Sequence, residues 1–321
     1  AASRAGRLDY VACWFGLAFE YGKNHKTSFA FVATNSLTQG EQARTLGPLL
    51  RAYGFELTFG YRSFRWTSEA RGAASVSVVI LGFGGEESAA RQQILEVVEA
   101  TGETYARPVR QLSWYLVEAP HIYPDKHTAA LVDYVPAEVT KGSQPTDGGH
   151  LFVDEVELTK FREDPIASKY LRRFEQTTEL LGSGVRWCLW LRDAPASDLR
   201  NSALLQERLK LVAEARASSP TTSVQRAAST PALFTQDRQP DGQFLAIPEV
   251  STDARTYIPM AFRDSSEAIA GNKLIMVPAP EMWVFGVLQS SMWMTWVRVI
   301  VGRLGTAFSI ASDIAYSAFP W

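Results

Sequence analysis

Two aromatic rings and two guanidinium groups lie close together in residues 63–83, SFRWTSEARGAASVSVVILGF. Phe64, Arg65, Trp66 and Arg71 precede a run of β-branched residues that is typical of a buried strand, so we expect them on a loop at the end of a sheet. An enzyme that handles a planar base could stack the base on such a loop. The alternative is a hairpin whose aromatic rings only complete the hydrophobic core.

Other patterns that could carry chemistry are weaker. The segment 81–85, LGFGG, would close a strand and open a helix, which is the arrangement that binds a nucleotide or adenosyl group. It lacks the GxGxxG spacing, so a plain strand-to-helix turn is favoured. The sequence has no GxSxG, P-loop or SxxK motif. We interpret the scattered carboxylates as helix caps and solvated residues: Asp9, Glu20, Glu41 and Asp193.

The composition is that of an ordinary globular protein. Of 321 residues, 46% are hydrophobic and 21% are charged, enough for about two domains with sizeable cores. The formal net charge of −2 gives no overall basic signature. Cys13 and Cys188 each lie in an apolar run and are predicted to be buried free thiols in a reducing compartment. The four histidines have no spacing typical of a metal site, so metal catalysis is not expected.

The first hundred residues alternate between helix and strand patterns. Apolar residues recur every three or four positions over 8–21, which predicts an amphipathic helix that ends at Gly22. We predict a buried strand over 28–34, a polar turn over 35–42, a helix to about residue 53, strands over 55–60 and 76–83, and a helix over 86–100. This alternation favours an α/β layer with a mainly parallel sheet.

After residue 102 the pattern becomes irregular, with many prolines and glycines up to residue 152. Further on we predict helices over 156–161, 164–171 and 198–217, the last with Asp198 as its N-cap, and strands over 186–191, 244–247 and 256–262. This mixed region is more typical of a recognition module than of a catalytic sheet. The most apolar segment, 281–304, is interrupted by polar residues and is predicted to be a core helix rather than a membrane span. No signal peptide is visible.

Six blocks of sequence carry a resemblance to a known family: 34–42 (TNSLTQGEQ), 64–66 (FRW), 142–149 (GSQPTDGG), 186–191 (RWCLWL), 257–259 (YIP) and 319–321 (FPW). In these blocks, which follow one another in order over essentially the whole chain, the sequence closely resembles MmeI-like (type IIL) restriction-modification enzymes. These are adenine DNA methyltransferases that use S-adenosylmethionine and are fused in the family to an endonuclease.

The resemblance implies an α/β fold in which a partial Rossmann-like methyltransferase sheet is followed by a mixed α+β target-recognition domain and a C-terminal helix. Residues 1–100 would be the end of the methyltransferase domain, after its catalytic motif. Residues 101–280 would be the target-recognition domain, and 281–321 a helical segment that packs back. The strand over 76–83 would belong to an edge hairpin of the sheet. The implied partner is double-stranded DNA, with no membrane, in the bacterial cytoplasm at the nucleoid.

The resemblance also implies roles for individual residues. Phe64, and as a second choice Trp66, would stack on a base extruded from the DNA, because related adenine methyltransferases place an aromatic residue on this loop. Replacing Arg255 is predicted to alter sequence preference, whereas replacing Arg216 is predicted to reduce affinity only. The predicted DNA contacts are Asn35, Ser36, Gln39, Arg65, Arg71, Lys141, Ser143, Arg186, Arg216, Arg238, Arg255 and Arg303.

One departure from the family pattern bears on activity. An adenine methyltransferase needs an Asn/Asp-Pro-Pro-Tyr/Phe segment, because a side-chain oxygen and a backbone carbonyl accept the protons of the amine and leave its nitrogen free to attack the methyl group. This sequence has no Pro-Pro pair, and it lacks the family's glycine-rich turn for the cofactor. We therefore expect a C-terminal portion without catalytic residues, inactive alone, which binds no S-adenosylmethionine unless the complete enzyme is formed.

The expected protein partner is then the missing N-terminal half of the methyltransferase, with an endonuclease domain as a further candidate. Two alternatives stay open at this point. The chain could be a catalytically dead, stand-alone DNA-binding relic of such an enzyme. It could also be an unrelated α/β enzyme that binds a nucleotide at Gly82 to Gly85.

Overall fold

Two units, each built around its own hydrophobic core, make up the part of the chain that the computed structural model describes, which is residues 8–25, 27–66, 76–85, 87, 91–97 and 101–321. The first unit comprises the chain up to residue 127 together with 252–254 and 295–310. The second comprises 128–251, 255–294 and 311–321. Segments that are distant in the sequence therefore contribute to each unit.

The first unit opens with helix α1 (Ala12–Gly22), which confirms the helix predicted from the apolar spacing. Phe15 and Phe19 are fully buried on its inner side. Their rings lie 5.9 and 5.2 Å from the ring of Phe83, in the middle of the core. The elements that follow are β1 (Phe29–Thr34), a 3-10 turn (Asn35–Thr38), α2 (Gly40–Ala52), β2 (Phe55–Trp66), β3 (Val76–Gly85), β4 (Gln93–Val97) and β5 (Thr104–Pro108).

The sheet of the first unit has the strand order β1-β3-β2-β4-β5. Only β2 and β4 run parallel, since the pairs β1–β3, β2–β3 and β4–β5 are antiparallel, and the prediction of a mainly parallel sheet is therefore wrong. The connection 67–75 between β2 and β3 is shorter than the dozen or so residues that a parallel crossover needs. The predicted helix over 86–100 is also wrong over 93–97, which form β4. β3 lies between β1 and β2 rather than at an edge of this sheet.

Two further predictions for the first unit need correction. Strand β1 is not buried as a whole, because its residues alternate between exposed and covered positions, as a strand with one solvated face does. Cys13 is exposed, since it lies on the side of α1 that points away from the core, whereas Cys188 of the second unit is buried as predicted. Burial raises the pKa of the Cys188 thiol, which keeps it protonated and unreactive.

The elements of the second unit are, in chain order, β6 (Thr140–Lys141), β7 (Phe152–Val153), α3 (Glu155–Glu163), a 3-10 turn (Ala167–Tyr170), β8 (Leu171–Glu175), α4 (Thr177–Leu180), β9 (Trp187–Leu189), α5 (Ala196–Asn201), α6 (Ala203–Ala217), α7 (Thr222–Arg226), a 3-10 turn (Ala227–Ser229), β10 (Gln243–Pro248), β11 (Val250–Ser251), β12 (Ala261–Asp264), β13 (Ala268–Ala270), β14 (Leu274–Pro278) and α8 (Met282–Leu288). Its strands form two four-stranded sheets, ordered β12-β10-β14-β6 and β13-β8-β9-β7.

Helix α9 (Ser291–Ile300) is shared, since its residues 291–294 belong to the second unit and 295–300 to the first. The hairpin of β15 (Gly302–Leu304) and β16 (Ala307–Ser309) belongs to the first unit. A π-helical turn (Ser312–Tyr316) follows in the second unit. The single core helix predicted over 281–304 is thus two helices and a strand. Among the described residues, none of the helices has the length and apolar character needed to cross a bilayer.

The long helix predicted over 198–217 is divided in two. Ser202 is extended between α5 and α6, and its Oγ accepts a hydrogen bond from the backbone N–H of Leu205, which caps α6. Asp198 is therefore not the N-cap. Its carboxylate instead accepts hydrogen bonds from the hydroxyl of Tyr170 and the ammonium of Lys169. Elsewhere, the predicted helix over 164–171 is wrong, since Ala167–Tyr170 form a 3-10 turn and β8 begins at Leu171. The strand predicted over 256–262 is shifted, because β12 is Ala261–Asp264.

A buried histidine gives the first unit a pH-dependent stability. The Nε2 of His121 lies 3.4 Å from Oε2 of Glu56, and its imidazole is largely buried. Burial lowers the pKa of His121, although Glu56 opposes the shift, so the folded state favours the neutral ring. The stabilisation that the neutral ring gives the folded state is fully present above the pKa of histidine in the unfolded chain, about 6.5. It is lost as the pH falls through the lower pKa of His121 in the folded state.

We therefore expect the free energy of unfolding to fall between pH 7 and pH 5 and to fall less in the His121→Gln variant. Urea denaturation at several pH values would measure this. His25→Gln, at an exposed position, is the matched control and should follow the wild-type profile. Identical pH profiles for the wild type and His121→Gln would contradict the assignment.

Candidate nucleic-acid interface

A cavity of about 670 Å³ lies beside the end of β2 in the first unit. One wall is Phe64 of β2, and polar residues of the 3-10 turn after β1 form another. Four arginines, carried by β2, α9 and β15, line the cavity. Asp253 is the one carboxylate among the lining residues that the structure describes. Its lining residues include Asn35, Gln39, Arg62, Phe64, Arg65, Asp253, Arg298 and Arg303.

Phe64, Arg65 and Trp66 lie on a strand rather than on the predicted loop. Strand β2 continues to Trp66 because Phe64, Arg65 and Trp66 pair with Val78, Ser77 and Val76 of β3. A register shift between Tyr61 and Phe64 marks a bulge in β2 next to the cavity. The sheet, rather than a loop, therefore holds the aromatic residues in place.

The two aromatic rings of this segment remain accessible. Phe64 is partly buried, with its ring 4.8 Å from that of Tyr61 and 6.4 Å from that of Trp66. Trp66 is 52% exposed and is not among the lining residues of the cavity. Neither ring belongs to the hydrophobic core around Phe83, so the alternative of aromatic residues that only complete a core is not what the structure shows.

The arginines of the cavity differ in how firmly they are held. Arg62 donates from Nε to the carbonyl of Leu116 at 3.0 Å and is ion-paired with Glu96. Arg65 is exposed and has no carboxylate partner within the described part of the chain. The excess of guanidinium groups over carboxylates makes the cavity suitable for an anionic group such as a phosphate.

Arg303 is fixed by contacts within the hairpin and beside it. Its guanidinium donates to the carbonyl of Thr306 at 2.8 Å and to Oδ2 of Asp253 at 3.4 Å, and it lies 4.5 Å from the centre of the Phe308 ring. Burial, together with the positive charge of Arg298, lowers the pKa of Arg303, and Asp253 opposes the shift. Two neighbouring cations and one carboxylate leave a net positive charge in this part of the cavity.

The polar turn after β1 supplies hydrogen-bonding groups. Asn35 donates from Nδ2 to Oγ of Ser63 at 3.2 Å, which fixes its amide at the cavity. The side chain of Gln39 also lines the cavity, and its Oε1 is buried without a hydrogen-bond partner among the described residues. Ser36 lies at an adjoining cavity of about 430 Å³ and donates to Asp9.

The structure therefore brings five of the predicted residues together at one place: Asn35, Gln39, Phe64, Arg65 and Arg303. Arg71 lies outside the described residues. Sequence reasoning missed Arg62 and Arg298. The position of Arg62, two residues before Phe64, would have suggested it once β2 was recognised as a strand. Arg298 lies within an apolar run and offered no signal.

Segment 142–149, one of the six blocks, is largely buried, although Gly148 and Gly149 are exposed. A Cβ at Gly142 would overlap the backbone of Ala270 and Gly271, so only glycine fits there. Ser143 is fully buried, and its Oγ accepts a hydrogen bond from the backbone N–H of Arg238 at 3.0 Å. The predicted DNA contact of Ser143 is therefore wrong, because no surface of this residue is available to a ligand.

Arg216 is also misassigned as a DNA contact. It is only 1% exposed, and all five of its N–H donors are used by backbone carbonyls. The carbonyls belong to Thr146, Ala227, Thr230, Pro145 and Leu233, at distances of 3.0, 3.0, 2.9, 2.8 and 2.7 Å. Burial lowers the pKa of Arg216, an effect that the charge of Asp147 opposes. The guanidinium thus ties together loops of the second unit.

The other predicted contacts in the second unit keep some exposure. Lys141 is ion-paired with Glu249, a carboxylate that also pairs with Lys273. Arg186 lies 3.6 Å from Glu179 and over the ring of Phe152. Arg238 lines a separate cavity of about 340 Å³. Arg255 is partly exposed and has no ion-pair partner among the residues that the structure describes, which leaves its guanidinium available.

The proposed nucleotide turn at Gly82 to Gly85 is not supported. These residues are the end of β3, where they pair with residues 55–59 of β2. A Cβ at Gly82 would overlap the ring of Phe59, so this glycine allows strand packing instead of a close approach to phosphate. The residues around Gly82 therefore do not fit an adenosyl cofactor, and the described histidine, cysteine and acidic residues form no cluster suited to a metal ion.

Two domain models of one protein family match the chain. Residues 119–321 match the family model of the MmeI target recognition domain, and residues 1–96 match that of the MmeI DNA-methyltransferase domain. The chain is 31% identical over 314 residues to DNA methyltransferase A of Bacillus subtilis (strain 168), covering 98% of this chain and 35% of that protein.

The fold is also similar to that of a solved structure from this family. The type IIL restriction-modification enzyme MmeI in complex with DNA superposes with a TM-score of 0.87 at 35% identity, over 98% of this chain and 42% of that one. The chain thus spans well under half the length of either relative.

Proposed function

This chain belongs to the family of MmeI-like (type IIL) restriction-modification enzymes, and on that premise we propose that it is the DNA-recognition and base-stacking portion of an S-adenosylmethionine-dependent adenine-N6 DNA methyltransferase. The family supplies the general role, which is DNA recognition in a restriction-modification methyltransferase. The target base, the cofactor and the division of labour within the complete enzyme are our proposal. Its place of action would be the bacterial cytoplasm, on the DNA.

The observation that carries the proposal is the cavity that Phe64 shares with four arginines. A base inside a duplex cannot be reached by a methyl donor, so it must be swung out and held. Extrusion costs a few kcal/mol, and stacking on one aromatic ring returns about 1–3 kcal/mol. Arg65, Arg298 and Arg303 would neutralise the phosphates beside the extruded nucleotide.

The methyl-transfer chemistry itself would come from polypeptide outside these 321 residues. The sequence has no Asn/Asp-Pro-Pro-Tyr/Phe segment, and the glycines at the end of β3 are strand residues that do not fit the cofactor. The described residues of this chain would therefore hold and position the base, and S-adenosylmethionine would supply the methyl group from the rest of the enzyme. We expect the chain alone to be inactive.

Reconstitution tests this proposal. The chain is co-expressed with the part of the Bacillus subtilis methyltransferase that it does not match, and the host DNA is sequenced for N6-methyladenine. We expect methylation at one short sequence when both parts are present and none with either part alone. Methylation of cytosine, or modified DNA with this chain alone, would contradict the proposal. DNA binding without methylation in the reconstituted sample would favour a catalytically dead relic.

The second unit would choose the sequence. Arg255 has no ion-pair partner among the described residues, and a bidentate contact of arginine with guanine contributes about 1–3 kcal/mol of discrimination. We therefore expect Arg255→Ala to relax the methylated sequence at one position. Arg200→Ala, at an exposed position on α5, is the control and should leave the sequence unchanged. Indistinguishable methylation patterns for the wild type and Arg255→Ala would refute the assignment of Arg255.

A further inference from the structure

A buried carboxylate in the second unit holds two arginines. Glu175, the last residue of β8, is only 2% exposed. Its Oε2 accepts a hydrogen bond from Nε of Arg263 at 2.6 Å, and its Oε1 lies 3.0 Å from a terminal nitrogen of Arg173. Arg173 is on the same strand as Glu175, whereas Arg263 belongs to β12 of the other four-stranded sheet. The carboxylate therefore connects the two sheets of this unit.

The two guanidinium groups are less covered than the carboxylate that holds them. The side chains of Arg173 and Arg263 are 45% and 27% exposed. Arg263 also donates to the carbonyl of its neighbour Phe262, and neither arginine pairs with a second carboxylate in the described part of the chain. Because a guanidinium group has five N–H donors, each arginine keeps donors that a ligand could use. Two cations on one carboxylate also leave an excess of positive charge.

A third guanidinium group and an aromatic ring lie beside this pair. Trp187 of β9 is the partner of Arg173 across the two antiparallel strands, so their side chains point to the same face. The guanidinium of Arg162 lies over the Trp187 ring, 5.1 Å from its centre. Arg162 is exposed and has no ion-pair partner among the residues that the structure describes. The positive charge therefore extends along one side of β8 and β9.

This arrangement supplies orientation rather than stability. A buried carboxylate is costly to desolvate, and packed apolar side chains would join two sheets at least as well. The two oxygen atoms of Glu175, in contrast, fix two guanidinium groups at a set separation while leaving part of each accessible. Planar guanidinium groups held in this way match the oxygen atoms of phosphate groups.

We propose that Glu175 is a positioning residue for DNA binding, which holds Arg173 and Arg263 ready to donate to phosphates of the duplex backbone. This inference rests on the proposed function, in which the second unit recognises DNA. Since the arginines are already fixed, binding does not have to order two flexible side chains. Contacts with phosphates carry no sequence information, so they would strengthen binding to every duplex equally.

Glu175→Gln tests the proposal by the sign of its effect. A carboxylate that only balanced charge or joined the sheets would, when removed, leave a more cationic folded protein that binds DNA more tightly. If Glu175 positions the arginines, we expect the folded variant to bind duplex DNA about 10-fold more weakly, because two side chains must then be ordered on binding. Fluorescence anisotropy would measure the affinity for two duplexes of unrelated sequence, and both affinities should fall by the same factor.

Glu267→Gln is the matched control for the change of charge. Glu267 is exposed and has no ion-pair partner among the described residues. It lies near the pair, since its backbone carbonyl accepts a hydrogen bond from the N–H of Arg173. The substitution removes one negative charge in the same neighbourhood without releasing an arginine. We expect this variant to bind DNA as tightly as the wild type or more tightly.

Arg173→Ala and Arg263→Ala test the phosphate contacts themselves, also in the case that Glu175→Gln does not fold. Each should reduce the slope of log affinity against log salt concentration by about 1, because one fewer phosphate is neutralised. Arg226→Ala, at an exposed position of α7, removes the same charge and should leave the slope unchanged. Circular dichroism would verify that every variant used for binding is folded.

Three results would overturn the inference and leave the proposed function standing. The first is a folded Glu175→Gln variant that binds DNA as tightly as the wild type or more tightly. The second is an unchanged salt slope in both Arg173→Ala and Arg263→Ala. The third is a loss of affinity that differs between the two duplexes, which would make these arginines readers of bases. A wild-type chain that binds neither duplex would overturn the inference together with the proposed function.

Discussion

Replacing Arg216 with lysine is expected to lower the free energy of unfolding of this chain by about 3–5 kcal/mol, the range typical of breaking a buried charged network. Five backbone carbonyls accept hydrogen bonds from the Arg216 guanidinium, which is almost completely buried. Lysine has three N–H donors on a single nitrogen, so at least two carbonyls would lose their partner. Each unsatisfied buried acceptor costs about 1–3 kcal/mol.

Urea denaturation followed by tryptophan fluorescence would measure this loss of stability. Arg226→Lys, at an exposed position of α7, is the matched control and should change the free energy of unfolding by less than about 0.5 kcal/mol. The DNA affinity of the folded Arg216→Lys protein should be unchanged. A variant that is as stable as the wild type but binds DNA more weakly would return Arg216 to the DNA interface.

The second large effect concerns Phe64. In the reconstituted enzyme we expect Phe64→Ala to lower the methylation rate by about 10- to 100-fold, since stacking of a base on one aromatic ring contributes about 1–3 kcal/mol. Non-specific DNA affinity should stay nearly the same, because it comes from arginine contacts with phosphates that this substitution keeps. Single-turnover methylation and fluorescence anisotropy on the same preparations would measure the two quantities.

Trp66→Ala is the control for this prediction. Trp66 lies two residues further along β2, is more exposed than Phe64 and is not among the lining residues of the cavity. Its replacement should reduce methylation less than that of Phe64. Equal losses of methylation and of DNA affinity in Phe64→Ala would count against a stacking role, and a larger effect of Trp66→Ala would exchange the roles of the two residues.

Regular, local patterns in the sequence were sufficient to predict several elements. The three- and four-residue apolar spacing predicted α1, and the β-branched run predicted β3. The segment 93–97, in contrast, forms β4 because β2 and β5 pair with it on either side, and such pairing overrides a local preference for helix. The extension of β2 to Trp66 likewise depends on its partner strand β3.

The candidate site was only partly predictable for a similar reason. Phe64 and Arg65 stood out because aromatic and basic residues are adjacent there, and Asn35 and Gln39 lie in a block shared with the family. Arg298 and Arg303 reach the same cavity from a distant part of the chain, which no local pattern shows. Arg216 has the sequence context of a surface arginine on a helix, and only the folded chain brings the five carbonyls around it.

The central claim is that the cavity beside Phe64 receives a base that has left the DNA helix. The most direct test compares the affinity of this chain for two duplexes that differ only in one unpaired adenine, because an unpaired base needs less energy to be extruded. We expect the wild type to bind the duplex with the unpaired adenine about 10-fold more tightly, and Phe64→Ala to lose most of this preference. Equal affinity of the wild type for both duplexes, or an undiminished preference in Phe64→Ala, would contradict the claim.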